Sequence, residues 1–429
     1  MAEKPFPGLA AEGVLDLAKK YYATTTMGSK IVAESGSGAI VTDRDGHKFI
    51  DLHCDAGVNN LGHCHPTIVA TVMNQLETLI FAENHNGPNY WAMCLAMELA
   101  TKSPVRKPSK VFFSNSGAEA NEAARKLCEA HRKITDGNGR KKAIYFRYGF
   151  AGRTRGVIAA TSSRPAVQRD PFWDFNEKIN STYLPYPRVG EDWSQLKKEL
   201  DALDLREYDR LLMELPCQGE GGINPVDENA LKYIYELTQE AGVIFISDCV
   251  QTGVGRVGTI FGCDVFPWLK PDILTMGKAL GGGFPVGATI FRGSLDWEHQ
   301  GMHSNTFGGH PLISRVGLAV LEETKKLLDS GAAKDIEFFL DYALRLFLKH
   351  DAITDIRGRG LMWAIEFKTP TLRDKVIELA ESAASEGEYG LRLLGAGSKS
   401  IRIMPSMVIS RYDLHYAMDL LHKIIKTLV

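Results

Sequence analysis

From about residue 65 onward the chain alternates short apolar runs with longer amphipathic segments. The runs "KVFFS", "KAIYF", "RLLMEL", "VIFISD" and "DILTM" lack the polar alternation of a half-exposed strand, so they predict strands buried on both faces. Between them, "PTIVATVMNQLETLI", "NYWAMCLAMELATKS" and "AEANEAARKLCEAHRKI" carry apolar residues at helical spacing. That alternation predicts an α/β fold, a mostly parallel sheet covered by helices. Upstream, "GVLDLAKKYY" reads as a helix. In "GAIVTDRDGHKFIDLH", two strand-like runs flank Asp45-Gly46, a hairpin turn.

The pattern changes after "HPLISRVGLAVLEETKKLL". A helix ("IEFFLDYALRLFLKH"), strand-like "IRGRGLMWAIEF" and "KSIRIMPS", and helices around 372–385 and 412–428 predict a smaller α+β domain. The expected organisation is a large domain over 61–315 and a small one over 316–429. Residues 1–60 should pack with the small domain, because their hairpin has no partner in the central sheet.

At 429 residues the chain is too long for one small core. Its 44% hydrophobic and 24% charged residues are ordinary for a globular protein. A net charge of −2 gives no pull toward nucleic acid or an anionic membrane. No run approaches the roughly 18 apolar residues of a membrane span. The start, "MAEKPFPGLAAEGVLDLAKKYY", has no basic segment followed by an apolar core, so the expected location is the cytoplasm. The seven cysteines include no CxxC pair, and the odd count argues against a disulfide framework. His53, Cys54, His63, Cys64 and His65 cluster in "DLHCDAGVNNLGHCHP". A zinc site would need four of these to converge on a compact turn. They read better as loop residues near an active site, with no metal.

Chemistry enters with "KPDILTMGKALGGGFPVGA", where Lys278 stands between a buried strand and a run of glycines. It is either an ordinary strand-end lysine or an amine kept desolvated to attack a carbonyl. "FFSNSGAEANEAARK" runs from strand to helix through Ser116, Gly117 and Ala118. Small residues there leave backbone N–H groups free at a helix start, an anion site fit for phosphate, although Ser116 also makes a plain N-cap. "VIFISDCVQTGVGR" ends an apolar strand on Asp248, with Gln251 three residues on. A carboxylate there is costly without a cation or donor. In α/β sheets ligands sit at the carboxyl ends of strands, where all three features fall. No P-loop or GxGxxG competes. A lysine amine, a carboxylate for a protonated ring nitrogen and a phosphate cradle together describe a pyridoxal phosphate site.

With these residues in view, the chain resembles the class III (omega) aminotransferases, the fold-type I pyridoxal phosphate enzymes that include ornithine, lysine and 4-aminobutyrate aminotransferases. The motifs "NSGAEANEAA", "GRTRG", "QGEGGINP", "DCVQTGVGR", "GKALGGGFPVGA" and "TFGGHP" occur in family order over nearly the whole chain. The resemblance implies a seven-stranded-type sheet in the large domain. It implies Lys278 as the Schiff-base lysine, Asp248 on the pyridine nitrogen and Gln251 on the phenolic oxygen. Gly117 and Ala118, with Ser116 beside them, would hold the phosphate, and Phe150 would stack on the ring. Thr306 of "NTFGGHP" would reach the phosphate of a neighbouring subunit, which implies a homodimer, alone or as a dimer of dimers, with sites at its interface.

For substrates, Glu220 of "QGEGG" resembles a glutamate that pairs with an arginine of the last domain, where Arg402 of "SIRIMPS" stands. Paired, Arg402 is neutralised and a donor carbon without a carboxylate is accepted; unpaired, it grips an α-carboxylate bidentately. Arg153 is a second candidate carboxylate clamp. The implied activity is transfer of an amino group from an ω-amine such as ornithine, lysine or 4-aminobutyrate to 2-oxoglutarate. The alternatives are an amino-acid racemase or epimerase on the same scaffold and an amine:pyruvate transaminase. Glu220 counts against the racemase, whose branch tends to have Asp there. The chain departs from the family pattern at Cys249, Ala151, His310 and Met404. Ala151 and His310 are expected to alter the pocket wall or its surroundings.

Overall fold

The computed structural model describes residues 5–24, 28–84, 86–137, 139–172 and 175–428. Seven strands form the central sheet in the order Ser109–Ser114, Gly287–Arg292, Ile273–Gly277, Ile244–Asp248, Tyr208–Glu214, Lys142–Phe146, Ser181–Leu184. Neighbours from Ile273–Gly277 to Ser181–Leu184 run parallel, while Gly287–Arg292 runs antiparallel to both its partners. Every residue of Ile244–Asp248 and Ile273–Gly277 is buried, as their unbroken apolar runs require. The Ser181–Leu184 and Gly287–Arg292 strands are absent from the sequence reading. "STYL" and "GATIFR" are short and sit among polar and glycine residues, so local pattern carries little signal there.

Helix Gly117–Thr135 lies on this sheet through Ala120, Asn121, Ala123, Ala124, Leu127 and Cys128, all buried. Small side chains at helical spacing bring its backbone close to the strands.

A second core gathers Leu52, Leu340, Phe347, Trp363, Ile401 and Leu421. Its four-stranded antiparallel sheet runs Ile353–Arg359, Met362–Phe367, Ser400–Ile403, Leu394–Ala396. The early hairpin, Ile40–Asp43 with Lys48–Asp51, is extended by a parallel strand, Gly390–Arg392, from the last part of the chain. Helix Pro311–Asp329 runs unbroken across position 315. Its Leu312, Val316 and Val320 sit in the first core, and Leu327 packs against both. Among the described residues no helix is long and apolar enough to cross a membrane.

Candidate active site

At the carboxyl ends of the central strands lies a cavity of about 250 Å³, lined among others by Gly117, Ala118, Phe150, Glu220, Asp248, Gln251 and Lys278. The sheet delivers these groups. Asp248 closes one strand and pairs in register with Glu214 and Thr275 on the two neighbours. Lys278 follows the next strand and opens a short 3-10 turn with φ of +47°. Such a left-handed conformation costs a side-chain-bearing residue roughly 1 kcal/mol, a strain typical of functional positions.

Burial lowers the Lys278 amine below its ordinary value, with the nearby Glu220 carboxylate acting in the opposite sense. Among the described residues no hydrogen bond or ion pair engages its Nζ. Burial raises the Asp248 carboxyl, against hydrogen bonds that favour its charged form. Its Oδ1 accepts from Val250 N at 2.9 Å and its Oδ2 from Asn121 Nδ2 at 2.8 Å. Asn121 also donates to Ala151 O at 3.0 Å and accepts from Thr275 Oγ1 at 2.8 Å.

Ser116 caps helix Gly117–Thr135, its Oγ accepting from Glu119 N at 3.1 Å. The amides of Gly117 and Ala118 head the helix at the cavity wall, where the dipole favours an anion. Gln251 donates from Nε2 to Ala56 O at 3.0 Å. Phe150 donates its backbone N–H to Glu214 Oε1 at 2.9 Å. Arg153 is exposed at the rim, its guanidinium carbon 5.9 Å from the Phe150 ring centre.

From the second domain, Arg402 reaches Glu220 in the cavity wall. Arg402, 1% exposed, meets Glu220 in a two-pronged contact, Nη1 to Oε1 at 2.9 Å and Nη2 to Oε2 at 3.0 Å. The guanidinium also donates to Gly395 O, from Nη2 at 2.9 Å and Nε at 3.2 Å. Burial alone would raise the Glu220 carboxyl; the Arg402 charge and hydrogen bonds bring it down to about 2.

Thr306 stands apart from the cavity, exposed beside Phe307. Of the departures, Ala151 lies in the cavity wall and Cys249 is buried behind it, Sγ 3.6 Å from Leu215 O. His310 stands at the start of helix Pro311–Asp329, away from the cavity, its Nδ1 3.3 Å from Ile80 O. Met404 is fully buried, its methyl close to Gly57.

Three contributors escape the sequence reading. Asn121 sits five residues past Ser116, where a helix position on a sheet-facing stripe looks like core. Glu214 is half-buried, and desolvation together with the Asp248 charge pushes it up to about 8. The turn 54–57 has positive φ at Cys54, Asp55, Ala56 and Gly57, and offers the carbonyl that Gln251 holds. Around it, Asp51 and Asp55 both pair with Arg392, at 3.3 and 2.6 Å, and His63 meets Asp51 at 2.8 Å. The guanidinium already supplies the positive charge that this cluster of acidic groups attracts.

Comparison with known proteins agrees with this geometry. The family profile "Aminotransferase class-III" matches residues 21–425. The acetylornithine aminotransferase of Methanosarcina mazei is 33% identical over 414 residues, 96% of each chain. That of Bacillus cereus is 34% identical over 399 residues, 91% of this chain and 94% of the relative. Among solved structures, the ornithine aminotransferase of Toxoplasma gondii superposes with a TM-score of 0.85 at 25% identity, over 99% of this chain and 96% of the other. A second structure of that ornithine aminotransferase is described with partial occupancy of PLP at the active site. The acetylornithine aminotransferase of Elizabethkingia anophelis gives 0.77 at 27% identity, over 97% and 99%.

Proposed function

The chain belongs to the class III aminotransferases, and we propose that it moves the terminal amino group of an ω-amino donor to 2-oxoglutarate. Ornithine, N-acetylornithine, lysine and 4-aminobutyrate represent the donor class. Pyridoxal phosphate is the cofactor; when bound it supplies a carbonyl for the donor nitrogen and an electron-accepting pyridinium ring.

The cavity fits this group. Asp248 is a buried carboxylate with hydrogen bonds but, among the described residues, no ion pair, so it lacks the cation that a ring N–H would bring. Gly117 and Ala118 present amides suited to a phosphate, and Ser116 fixes them by capping the helix. Phe150 offers an aromatic face and Gln251 a side-chain donor in the same wall.

The chain's own residues divide the remaining work. Lys278, its amine pushed by burial toward the neutral form, takes the proton from the amine-bearing carbon of the donor and later returns one to the acceptor's carbonyl carbon. Asp248 would hold a ring N–H, with Asn121 fixing its orientation. Glu220 covers Arg402 while the donor's reacting carbon, which bears no carboxylate, is in place. When it swings away, the Arg402 fork receives the α-carboxylate of the 2-oxo acid.

The observation that carries this reading is the two-pronged Glu220–Arg402 contact beside Lys278. Arg402→Ala is expected to raise KM for 2-oxoglutarate by about 10- to 100-fold, the loss of a charged bidentate contact, while shifting the donor's KM less than about threefold. Separate half-reactions followed through the cofactor's absorbance measure both, and equal losses would overturn the assignment. The reading includes a homodimer. Exposed Thr306 adjoins Phe307, whose ring, also exposed, lies 5.2 Å from that of Phe81.

A further inference from the structure

Arg357 lies outside the cavity, on strand Ile353–Arg359 of the second domain, and takes no part in the chemistry above. Its guanidinium is nearly buried and reaches across to the first domain. Nε donates to Ile223 O at 3.0 Å and to Asn224 Oδ1 at 3.1 Å. Nη2 donates to Gly222 O at 2.7 Å and to Ser400 Oγ at 3.2 Å. Nη1 is held by Asp355 at 2.8 Å and Glu366 at 2.7 Å, which neutralise the charge and fix the side chain.

The two groups it joins are the two that carry the specificity pair. Gly222 and Ile223 close the loop that begins Gly219-Glu220, and Ser400 stands two residues before Arg402 on the same strand and the same face. The loop is not a relaxed one. Ile223 has φ of +57°, a conformation that a β-branched side chain reaches only under constraint. The Arg357 fork binds the carbonyl of that residue and of the one before it. At its other end the loop is tied by Gly219 N to Glu214 Oε2 at 2.9 Å and by Gly397 N to Glu220 O at 2.9 Å.

We propose that Arg357 is a positioning residue that holds Glu220 on Arg402, and so partitions specificity between amine donor and 2-oxo acid. This rests on the Glu220–Arg402 exchange proposed above. Releasing the loop lets Glu220 leave Arg402 more often. That exposes the Arg402 charge to the donor's side chain while leaving it free for the acceptor's carboxylate.

The test uses holoenzyme in single half-reactions, with whichever of L-ornithine, N-acetyl-L-ornithine and 4-aminobutyrate reacts fastest as donor, and with 2-oxoglutarate as acceptor. Arg357→Lys keeps the charge and breaks the fork. It is expected to weaken the donor half-reaction's half-saturation about tenfold while leaving that of 2-oxoglutarate within about twofold. In a Glu220→Ala background the same substitution should change neither by more than about twofold. Hydrogen exchange at amides 219–223 should rise in Arg357→Lys.

Ser400→Ala, which removes one contact and no charge, should move the donor half-reaction in the same direction by about two- to threefold; it keeps the question answerable if Arg357→Lys folds poorly. Equal losses in both half-reactions, an effect that persists without Glu220, or unchanged exchange in the loop would each overturn the proposal. Failure of the underlying exchange looks different: Glu220→Ala alone would then leave the donor-to-acceptor ratio at its wild-type value.

Discussion

Glu214 and Glu220 lie six residues apart at the same cavity, and their environments push them in opposite directions. Burial, then the neighbouring Asp248 charge, raises Glu214 to about 8 from an ordinary 4.5. Glu220 is brought down to about 2 by Arg402 despite its burial. The signs follow from proton linkage. Between pH 4.5 and 8 the folded chain keeps a proton on Glu214 that the unfolded chain has released, so this residue makes stability fall as pH rises through that window. Glu220 contributes stability that is fully present above 4.5 and is lost as pH drops from 4.5 toward 2. Denaturant titrations of the apoprotein should therefore show a shallower decline from pH 5 to 8 in Glu214→Gln, and a shallower acid limb in Glu220→Gln. An unchanged slope in either variant would remove the corresponding carboxyl from the account. The Glu220 position was legible as "QGEGG"; the Glu214 one was not. A glutamate near the end of the apolar run "RLLMEL" reads as a strand terminus until its neighbours in the sheet are known.

At the level of elements, the strand–turn–helix unit around Ser116 shows how tightly the proposed anion cradle is built. A Cβ added to Gly117 would lie 2.6 Å from Val250 Cγ1, on the segment just past Asp248. Gly117→Ala must therefore push the helix start away from the Asp248 strand, an overpacking cost of roughly 1–3 kcal/mol. The expected outcome is a folded protein, by circular dichroism, that holds pyridoxal phosphate at least about tenfold more weakly in equilibrium dialysis. Wild-type retention would mean that the cradle tolerates the shift. The sequence announced this unit clearly, because small residues, a capping serine and a glutamate three residues on are local signals. It was silent on the antiparallel Gly287–Arg292 strand, which completes the sheet between Ser109–Ser114 and Ile273–Gly277.

Over the whole molecule, the proposed function depends on two cores meeting. Glu220 and Arg402 are 182 residues apart in sequence, and Arg357 and Arg256 reach across the same junction. Arg256, fully buried, donates to Asn60 Oδ1 through Nε at 3.1 Å and through Nη1 to Leu361 O at 2.8 Å and Pro405 O at 2.6 Å. It thereby ties the early segment to both domains. Helix Pro311–Asp329 links the cores covalently, so they share one rigid connector. Exposed Phe81 and Phe307, their rings 5.2 Å apart, leave apolar surface next to Thr306 that a monomer gains nothing by exposing. Light scattering should accordingly find a species of at least twice the 47.4 kDa chain mass. A monomer at micromolar concentration would refute the shared-site assembly.

By itself the sequence determined the α/β class and singled out the amine of Lys278, the carboxylate of Asp248 and the proposed cradle at 116–118. Each is written in local pattern: an apolar run, its end, and the small residues that follow. Tertiary structure decided what stands opposite them. Asn121 orients Asp248, the left-handed turn at 54–57 meets Gln251, and Arg357 grips the Glu220 loop, all through contacts between segments far apart in the chain. Such contacts depend on how strands are ordered and how two cores dock, and no local periodicity encodes that. An asparagine on a buried helix face or an arginine on a strand acquires its role only from the partner that folding brings to it.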